Sequence, residues 1–171
     1  MKIYPNNYVE NVEKIDKEFM QKNKLEALVL DVDNTLIDMT KIVSDEIKQW
    51  AKSLTDEGFK LYILSNSYNK SKVEKVAKEI NAPFEFFAKK PFKKGFLKVI
   101  EKIGIEKNKI GMVGDQIFTD ILGGNSVGMY TILVEPKNKK EYFYTYWRRP
   151  IDNLIKKRYI KKSQNKYNIE N

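Results

Sequence analysis

The chain has 171 residues and a mass of 20.1 kDa, which suits one domain with a real core and leaves little room for a second. It contains no Cys and no His, which excludes disulfides, thiol nucleophiles, imidazole bases and metal sites built from either residue. Its 32 Lys and Arg residues outnumber its 23 Asp and Glu residues, giving a formal charge of +9 at pH 7. Any catalysis must therefore use carboxylates, hydroxyls, lysines and hard cations.

Hydropathy and charge also bear on location and on domain organisation. No apolar run approaches the roughly 20 residues of a membrane span, and the N-terminus lacks the apolar core of a signal peptide, which predicts a cytoplasmic protein. Residues 137–171 contain eleven Lys or Arg and three acidic residues, whereas residues 1–136 are nearly neutral. We therefore predict a folded domain over 1–136 and a basic, aromatic C-terminal extension over 137–171.

The predicted elements alternate between helix and strand. The first 24 residues place Val12, Ile15 and Phe19 at helical spacing, which predicts an amphipathic helix. The apolar run 27–30 ends at an aspartate and predicts a strand buried on both faces. Further strands are predicted over 59–64, 84–87, 110–113 and 130–134. The predicted helices run from Ser44 to Gly58, from about 70 to 80, up to Gly104, and through Asp120 to an end at Gly123–Gly124.

This alternation indicates the fold class. The connections are too long for hairpins, so they predict right-handed crossovers and a parallel sheet with helices on both faces. The expected architecture is an α/β, three-layer, Rossmann-like fold with a mainly parallel sheet of about five strands. Ligands bind such a sheet at the carboxyl ends of its strands.

Polar side chains follow four of the predicted strands. Asp31 and Asp33, two residues apart after the first strand, should point into one crevice, where they repel each other unless a cation, a shared proton or hydrogen bonds compensate. Ser65, Lys90 and Asp115 follow the next three strands and should reach the same edge. Carboxylates beside one lysine would repel a phosphate unless a divalent cation lay between them, and an all-oxygen ligand set favours Mg²⁺.

Each of these residues also has an ordinary structural explanation. Asp31 could form a turn, and Ser65 could be a turn or cap residue. Asp120 could simply lie in the first turn of its helix, where the helix dipole favours a negative charge. Lys89 competes with Lys90 for the role of active lysine.

The ordered motifs resemble a known family. Four short motifs, in order along the chain and on the expected elements, are Asp31-x-Asp33-Asn34-Thr35, Ser65, Lys90-Pro91 and Gly114-Asp115-x-x-x-x-Asp120. They resemble the four motifs of haloacid dehalogenase (HAD) superfamily phosphatases. Residues 30–36 and 113–125 resemble the YqeG-type branch, whose small members have no large cap domain. The resemblance covers roughly residues 3–135.

The resemblance implies a Mg²⁺-dependent phosphomonoester hydrolase. Asp31 would be the nucleophile that forms an aspartyl-phosphate, and Asp33 the general acid and base. Mg²⁺ would be held by Asp31, Asp115 and the main-chain carbonyl of Asp33, while Asp120 would orient Lys90 or a metal-bound water. The implied residues are, for catalysis, Asp31, Asp33, Ser65 and Lys90; for phosphate, Ser65, Asn66 and Lys90; for metal, Asp31, Asp33 and Asp115; and in support, Thr35 and Asp120.

Substrate and partners remain open at this stage. The short separations between motifs leave no room for a cap, so the site should be open to a large substrate or completed by a neighbouring subunit. The branch is similar to mitochondrial phosphatidylglycerophosphate phosphatases, which implies a lipid phosphate and action at the inner membrane face. Aromatic and basic residues in 137–171 suit an anionic membrane, nucleic acid, or docking on the domain itself. The alternatives are a nucleic-acid or ribosome-associated binding protein and a nucleic-acid end phosphatase.

Overall fold

A computed structural model describes residues 2–137 of the chain. Strands β1 to β6 span, in chain order, Asn7–Val9, Ala27–Leu30, Lys60–Leu64, Phe84–Glu85, Ile110–Gly114 and Tyr130–Val134. Helices α1 to α5 span Lys17–Lys22, Asp45–Asp56, Lys70–Glu79, Lys93–Ile103 and Leu122–Val127. Short 3-10 turns cover Val12–Lys14 and Lys107–Lys109, and a π-helical turn, Ile117–Ile121, leads directly into α5.

The six strands form one parallel sheet in the order β1-β6-β5-β2-β3-β4. This confirms the predicted parallel α/β architecture. The sheet has one strand more than the sequence suggested, because residues 7–9 pair with β6 at its edge. Strand β2 has β3 on one side and β5 on the other, so the chain changes direction across the sheet between β2 and β5. A crevice is therefore expected at the carboxyl ends of these two strands.

Strand β2 is buried on both faces, as its uninterrupted apolar sequence predicts. Leu28 and Leu30 belong to the core beneath α1, α2 and α3, whereas Ala27 and Val29 belong to the core beneath α4 and α5. The successive side chains alternate between the two layers because the side-chain period of a strand is two. The central strand thus anchors the residues that follow it at the middle of the molecule.

The predicted N-terminal helix through Val12, Ile15 and Phe19 is wrong. Val12 lies in a 3-10 turn, and α1 begins only after Asp16, whose side chain accepts a hydrogen bond from the amide of Phe19. Val12 and Ile15 are nevertheless buried. The apolar spacing therefore reflects burial of the 3-10 turn and not a continuous helix. A cap residue begins a new helix, and here Asp16 separates Ile15 from α1.

The predicted helix end at Gly123–Gly124 is also wrong, because both glycines lie inside α5. A Cβ atom on Gly123 would lie 2.4 Å from the ring of Phe96, and one on Gly124 would lie 2.8 Å from Cγ2 of Thr131. Glycine is therefore required here for close packing of α5 against α4 and β6. The helix ends instead at Gly128, whose φ of 86° is left-handed.

The remaining elements agree with the predictions except at their ends. Ser44 caps α2 by accepting a hydrogen bond from the amide of Ile47, and Gly58 follows the helix with a φ of 88°. Strand β4 ends at Glu85, two residues earlier than predicted, because Phe87 has a left-handed φ of 49°. Among residues 2–137 no helix has the length and apolarity to cross a membrane. The predicted extension, apart from its first residue, lies outside the described residues.

Candidate active site

The site is built around a buried lysine at the carboxyl edge of the sheet. Lys90 lies between β4 and α4, and its Nζ donates hydrogen bonds of 2.6 Å to Oδ1 of Asp31 and 2.6 Å to Oδ1 of Asp120. The side chains of Lys90 and Asp120 are each only 1% exposed. A buried ion network of this kind is stable only while every charge keeps its partner. The network joins the ends of β2 and β4 to the π-helical turn.

The side chain of Asn66 holds the main chain of Lys90 in place. The side-chain amide of Asn66 donates to the carbonyl of Lys90 at 3.0 Å and accepts from its amide at 2.7 Å. Asn66, which the resemblance implies as a phosphate ligand, therefore uses both polar atoms to position the lysine. The neighbouring Lys89 is exposed, and its Nζ lies 4.7 Å from the centre of the Phe87 ring. Of the two candidate lysines, Lys90 is the one that reaches the carboxylates.

Asp120 reaches the lysine because the preceding strand ends in glycine. A Cβ on Gly114 would lie 2.3 Å from Oδ2 of Asp120, so any larger residue would displace this carboxylate. The same oxygen accepts a hydrogen bond from the amide of Gln116 at 3.2 Å. Asp120 thus contacts Lys90, and it also lies in the first turn of the π-helix, as the ordinary structural explanation expects.

Three carboxylates form a group that could hold a cation. One oxygen each from Asp31, Asp115 and Asp120 lie within 4.8 Å of one another. The pKa of Asp31 is raised to about 7, because burial raises it, Asp120 and Asp33 raise it as well, and Lys90 lowers it by less than these together. Burial and the charges of Asp31 and Asp120 raise the pKa of Asp115 well above its usual value. Crowded, desolvated carboxylates with oxygen ligands fit a hard divalent cation such as Mg²⁺.

The charge on Lys90 follows from the same contacts. Burial alone lowers the pKa of this ammonium group, but the carboxylates of Asp120 and Asp31 outweigh burial and raise the pKa above its usual value. The lysine therefore carries a fixed positive charge at the centre of the acidic group.

Asp33 has a separate partner that the sequence did not predict. Nζ of Lys72, in the first turn of α3, donates to both carboxylate oxygens of Asp33, at 2.6 and 2.7 Å. Asp31 and Asp33 are close enough for Asp33 to affect the pKa of Asp31, yet they bind different lysines. Strand β2 ends at Leu30, and the carbonyl of Val32 then accepts hydrogen bonds from the amides of Thr35, Leu36 and Ile37, which form a tight turn.

The missed lysine gave only a weak sequence signal. Lys72 is one of several lysines in α3 and, considered alone, would be expected to face solvent. Asn69 caps α3 by accepting a hydrogen bond from the amide of Lys72, so Lys72 lies in the first turn of the helix. A position so close to the helix start was the one indication in the sequence that Lys72 lies near the edge of the sheet.

Two predicted hydroxyl residues are also buried at this edge. Ser65 directly follows β3, is 1% exposed, and accepts a hydrogen bond on Oγ from the amide of Ser67 at 3.1 Å. Thr35 is 2% exposed, and its Oγ1 has no hydrogen-bond partner among residues 2–137. Both residues lie in loops that leave the carboxyl ends of the central strands, β3 and β2.

Comparison with known proteins decides the family. Residues 40–128 match the model of a family described as haloacid dehalogenase-like hydrolases. The chain is also 30% identical over 152 residues to the probable phosphatase YqeG of Bacillus subtilis, and the alignment covers 88% of each protein. The chain belongs to the haloacid dehalogenase-like hydrolases. It is a HAD-family phosphatase, a phosphoric monoester hydrolase, which confirms the resemblance found in the sequence.

Other similarities extend beyond the family match. The HAD-family chain is 29% identical over 175 residues to phosphatidylglycerophosphate phosphatase 1 of Arabidopsis thaliana, covering 94% of this chain and 49% of that protein. An uncharacterized protein of Listeria monocytogenes has a similar structure, with a TM-score of 0.56 and 20% identity over 70% of this chain and 85% of that one. A HAD phosphatase of Thermococcus onnurineus has a TM-score of 0.50 and 26% identity over 59% and 50% of the two chains.

Proposed function

We propose that this HAD-family phosphatase hydrolyses phosphomonoesters through an aspartyl-phosphate on Asp31, with Mg²⁺ as cofactor, and that its substrate is a lipid phosphate such as phosphatidylglycerophosphate. The observation that supports the mechanism is the buried network in which Lys90 binds Asp31 and Asp120 beside Asp115. Such a network supports the proposal because it would supply a carboxylate nucleophile, a fixed positive charge and oxygen ligands for a cation in one crevice.

The proposed reaction has two displacements at phosphorus. In the first, a carboxylate oxygen of Asp31 bonds to phosphorus and the bond from phosphorus to the ester oxygen breaks. Asp33, in the form that carries a proton on one oxygen and accepts from Lys72 on the other, gives that proton to the leaving alcohol. In the second, a water oxygen attacks phosphorus, Asp33 takes the water proton, and the bond to Asp31 breaks. Inorganic phosphate leaves and both aspartates return to their starting states. Since Oδ1 of Asp31 accepts from Lys90, Oδ2 is the oxygen assigned to attack.

Other residues stabilise the charge that moves during these steps. Lys90 would offset negative charge on the transferring group, and the Ser65 hydroxyl would donate to a phosphoryl oxygen. Asp31, Asp115 and the main-chain carbonyl of Asp33 would hold the cation, and the contact of Asp120 with the same group makes it a further candidate ligand. When bound, Mg²⁺ would screen the acidic residues from the phosphoryl oxygens.

The lipid part of the proposal rests on a relative and on the open edge. The Arabidopsis protein that is 29% identical to this chain is named as a phosphatidylglycerophosphate phosphatase, and this chain spans about half of it. In residues 2–137 only loops and helix starts surround the carboxyl edge, which suits a substrate too large to be enclosed. We accordingly propose that the protein acts at the inner face of the membrane.

Assays of phosphate release test the proposed mechanism and the proposed lipid substrate separately. A soluble aryl phosphate with Mg²⁺ tests the chemistry, and phosphatidylglycerophosphate in mixed micelles, compared with glycerol phosphate, tests the substrate. Asp31→Asn should abolish release from every substrate while the fold, measured by circular dichroism, is unchanged. Equal release by Asp31→Asn and the unaltered chain would refute the mechanism. Faster release from glycerol phosphate than from the lipid would refute the proposal of a lipid substrate.

A further inference from the structure

Large exposed apolar side chains are unevenly distributed over the described chain. Among residues 2–137, only Ile3 and Leu97 lie away from the segments at the carboxyl edge of the sheet. We define the carboxyl-edge face by five of the side chains at this edge: Met39, Ile42, Tyr68, Phe87 and Phe92, which are 38% to 80% exposed. Phe86 and Phe118 are exposed at the same edge, by 37% and 49%. A concentration of exposed apolar side chains around one site indicates an interaction surface.

The face is continuous with the active site. Tyr68 and Phe87, on the loops after β3 and β4, pack with ring centres 4.5 Å apart. The amide of Phe87 donates to the carbonyl of Ser67, so the two loops are joined next to Ser65 and Lys90. Phe92 precedes α4, two residues after the active-site lysine. A partner that covers this face would therefore also reach the carboxylate group.

The charge around the aromatic part of the face is positive, whereas the segment that carries Met39 and Ile42 also carries the exposed residues Asp38, Lys41 and Asp45. Residues 66–70 and 86–94 contain five lysines and no acidic residue, and all of these lysines except Lys90 are exposed. Nζ of Lys70 lies 5.9 Å from the Phe86 ring centre, and Nζ of Lys89 lies 4.7 Å from that of Phe87, so the cationic groups sit directly beside the aromatic ones. The occupant of the aromatic part of the face should thus be anionic.

Charge argues against a second copy of this protein as the occupant, because a chain with a formal charge of +9 repels its own copy.

The chemistry of the side chains favours a lipid surface over nucleic acid. Met39 and Ile42 are aliphatic and cannot stack on bases, and the Phe87 ring is already contacted by Tyr68 and Lys89. Apolar tips that enter the acyl boundary, with lysines at the level of the headgroups, are the features of an interfacial binding surface.

We propose that the carboxyl-edge face docks on an anionic phospholipid bilayer, so that the carboxylate group of the active site faces the membrane. The bilayer would bind the apolar tips and the exposed lysines together, and a headgroup phosphate would then lie next to Lys90. This orientation would bring a lipid phosphate to Asp31, and in that respect the proposal rests on the proposed function. Docking itself requires no hydrolysis.

Vesicle sedimentation of the full chain tests docking. Binding to phosphatidylcholine vesicles should rise when phosphatidylglycerol is included, and Ile42→Ser with Phe92→Ser should lower that binding about tenfold. Leu97→Ser, which removes an exposed apolar side chain away from the face, is the matched control and should bind like the unaltered chain. The single variants, each lowering binding about threefold, serve if the double variant does not fold.

Several results would overturn the proposal. These are no binding to phosphatidylglycerol vesicles, equal binding by the double variant and the unaltered chain, or loss of oligonucleotide binding in the double variant with vesicle binding retained. The ratio of lipid to aryl phosphate hydrolysis should also fall in the double variant and not in Leu97→Ser. Asp31→Asn should bind vesicles normally. Vesicle binding without any hydrolysis by the unaltered chain would therefore contradict the proposed function and leave docking intact.

Discussion

Lys72 binds both carboxylate oxygens of Asp33, at 2.6 and 2.7 Å, and so connects the first turn of α3 to the loop after β2. The side chain of Lys72 is 17% exposed and that of Asp33 is 46% exposed, so the pair lies at the rim of the crevice. A two-point contact fixes the direction of the carboxylate as well as its position. The carboxylate of Asp33, to which we assign proton transfer, is therefore held by Lys72, a residue outside the four motifs.

Replacement of this lysine should slow catalysis without unfolding the protein. We expect Lys72→Met to lower kcat for an aryl phosphate about tenfold, because Asp33 would lose its orientation for proton transfer. Lys75→Met, on the exposed side of the same helix, should leave kcat unchanged. Steady-state kinetics at saturating Mg²⁺ would measure this, and equal kcat values for the two variants would contradict a positioning role.

Removal of the central lysine should be costly for stability. Lys90→Met leaves the carboxylates of Asp31 and Asp120 buried without their shared counter-ion, and we expect the free energy of unfolding to fall by about 3 kcal/mol. Lys89→Met, at the exposed neighbouring position, should change this free energy by less than about 0.5 kcal/mol. Urea unfolding followed by circular dichroism measures both, and a loss that is no larger in Lys90→Met would show that the network is not stabilising.

Metal binding should stabilise the folded chain through the acidic group. Added Mg²⁺ should raise the Tm of the unaltered protein, since a ligand that binds only the folded state stabilises it by mass action. Asp115→Asn should abolish most of this rise because it removes one of the three carboxylates of the group. Asp38→Asn, an exposed acidic residue of the same edge, is the control and should respond like the unaltered chain. An identical rise in Asp115→Asn would locate the cation elsewhere.

The close approach of β5 to the π-helical turn predicts a sensitive glycine. Gly114→Ala would place a methyl group 2.3 Å from the carboxylate of Asp120, so we expect a loss of about 2 kcal/mol in unfolding free energy and at least a tenfold loss of kcat. Gly111→Ala on the same strand meets the methyl end of Leu28, at 2.8 Å, which can move. That variant should retain activity. Equal kcat in both would show that Asp120 tolerates displacement.

The local sequence was sufficient to predict the arrangement of the central elements. An apolar run that ends in a carboxylate identifies a buried strand and its functional end, and the helices between the strands require a parallel sheet. From these two facts it follows that residues after β2, β3, β4 and β5 meet at one edge. The order and spacing of the motifs then identified the family, and the comparisons confirmed it.

Contacts between distant parts of the chain decided the rest. Asp31 and Lys90 are 59 residues apart, and Asp33 and Lys72 are 39 apart, so neither pairing follows from local periodicity. The choice of Lys90 over Lys89 depends on Asn66, which holds the main chain of Lys90 and so directs its side chain inward. The sequence by itself determined the central strands, the helices between them and where their polar ends lie, because burial and periodicity act locally, whereas β1 and the start of α1 did not follow from it. Only the tertiary structure decided which charged groups meet, because each such pair depends on the packing of separate elements.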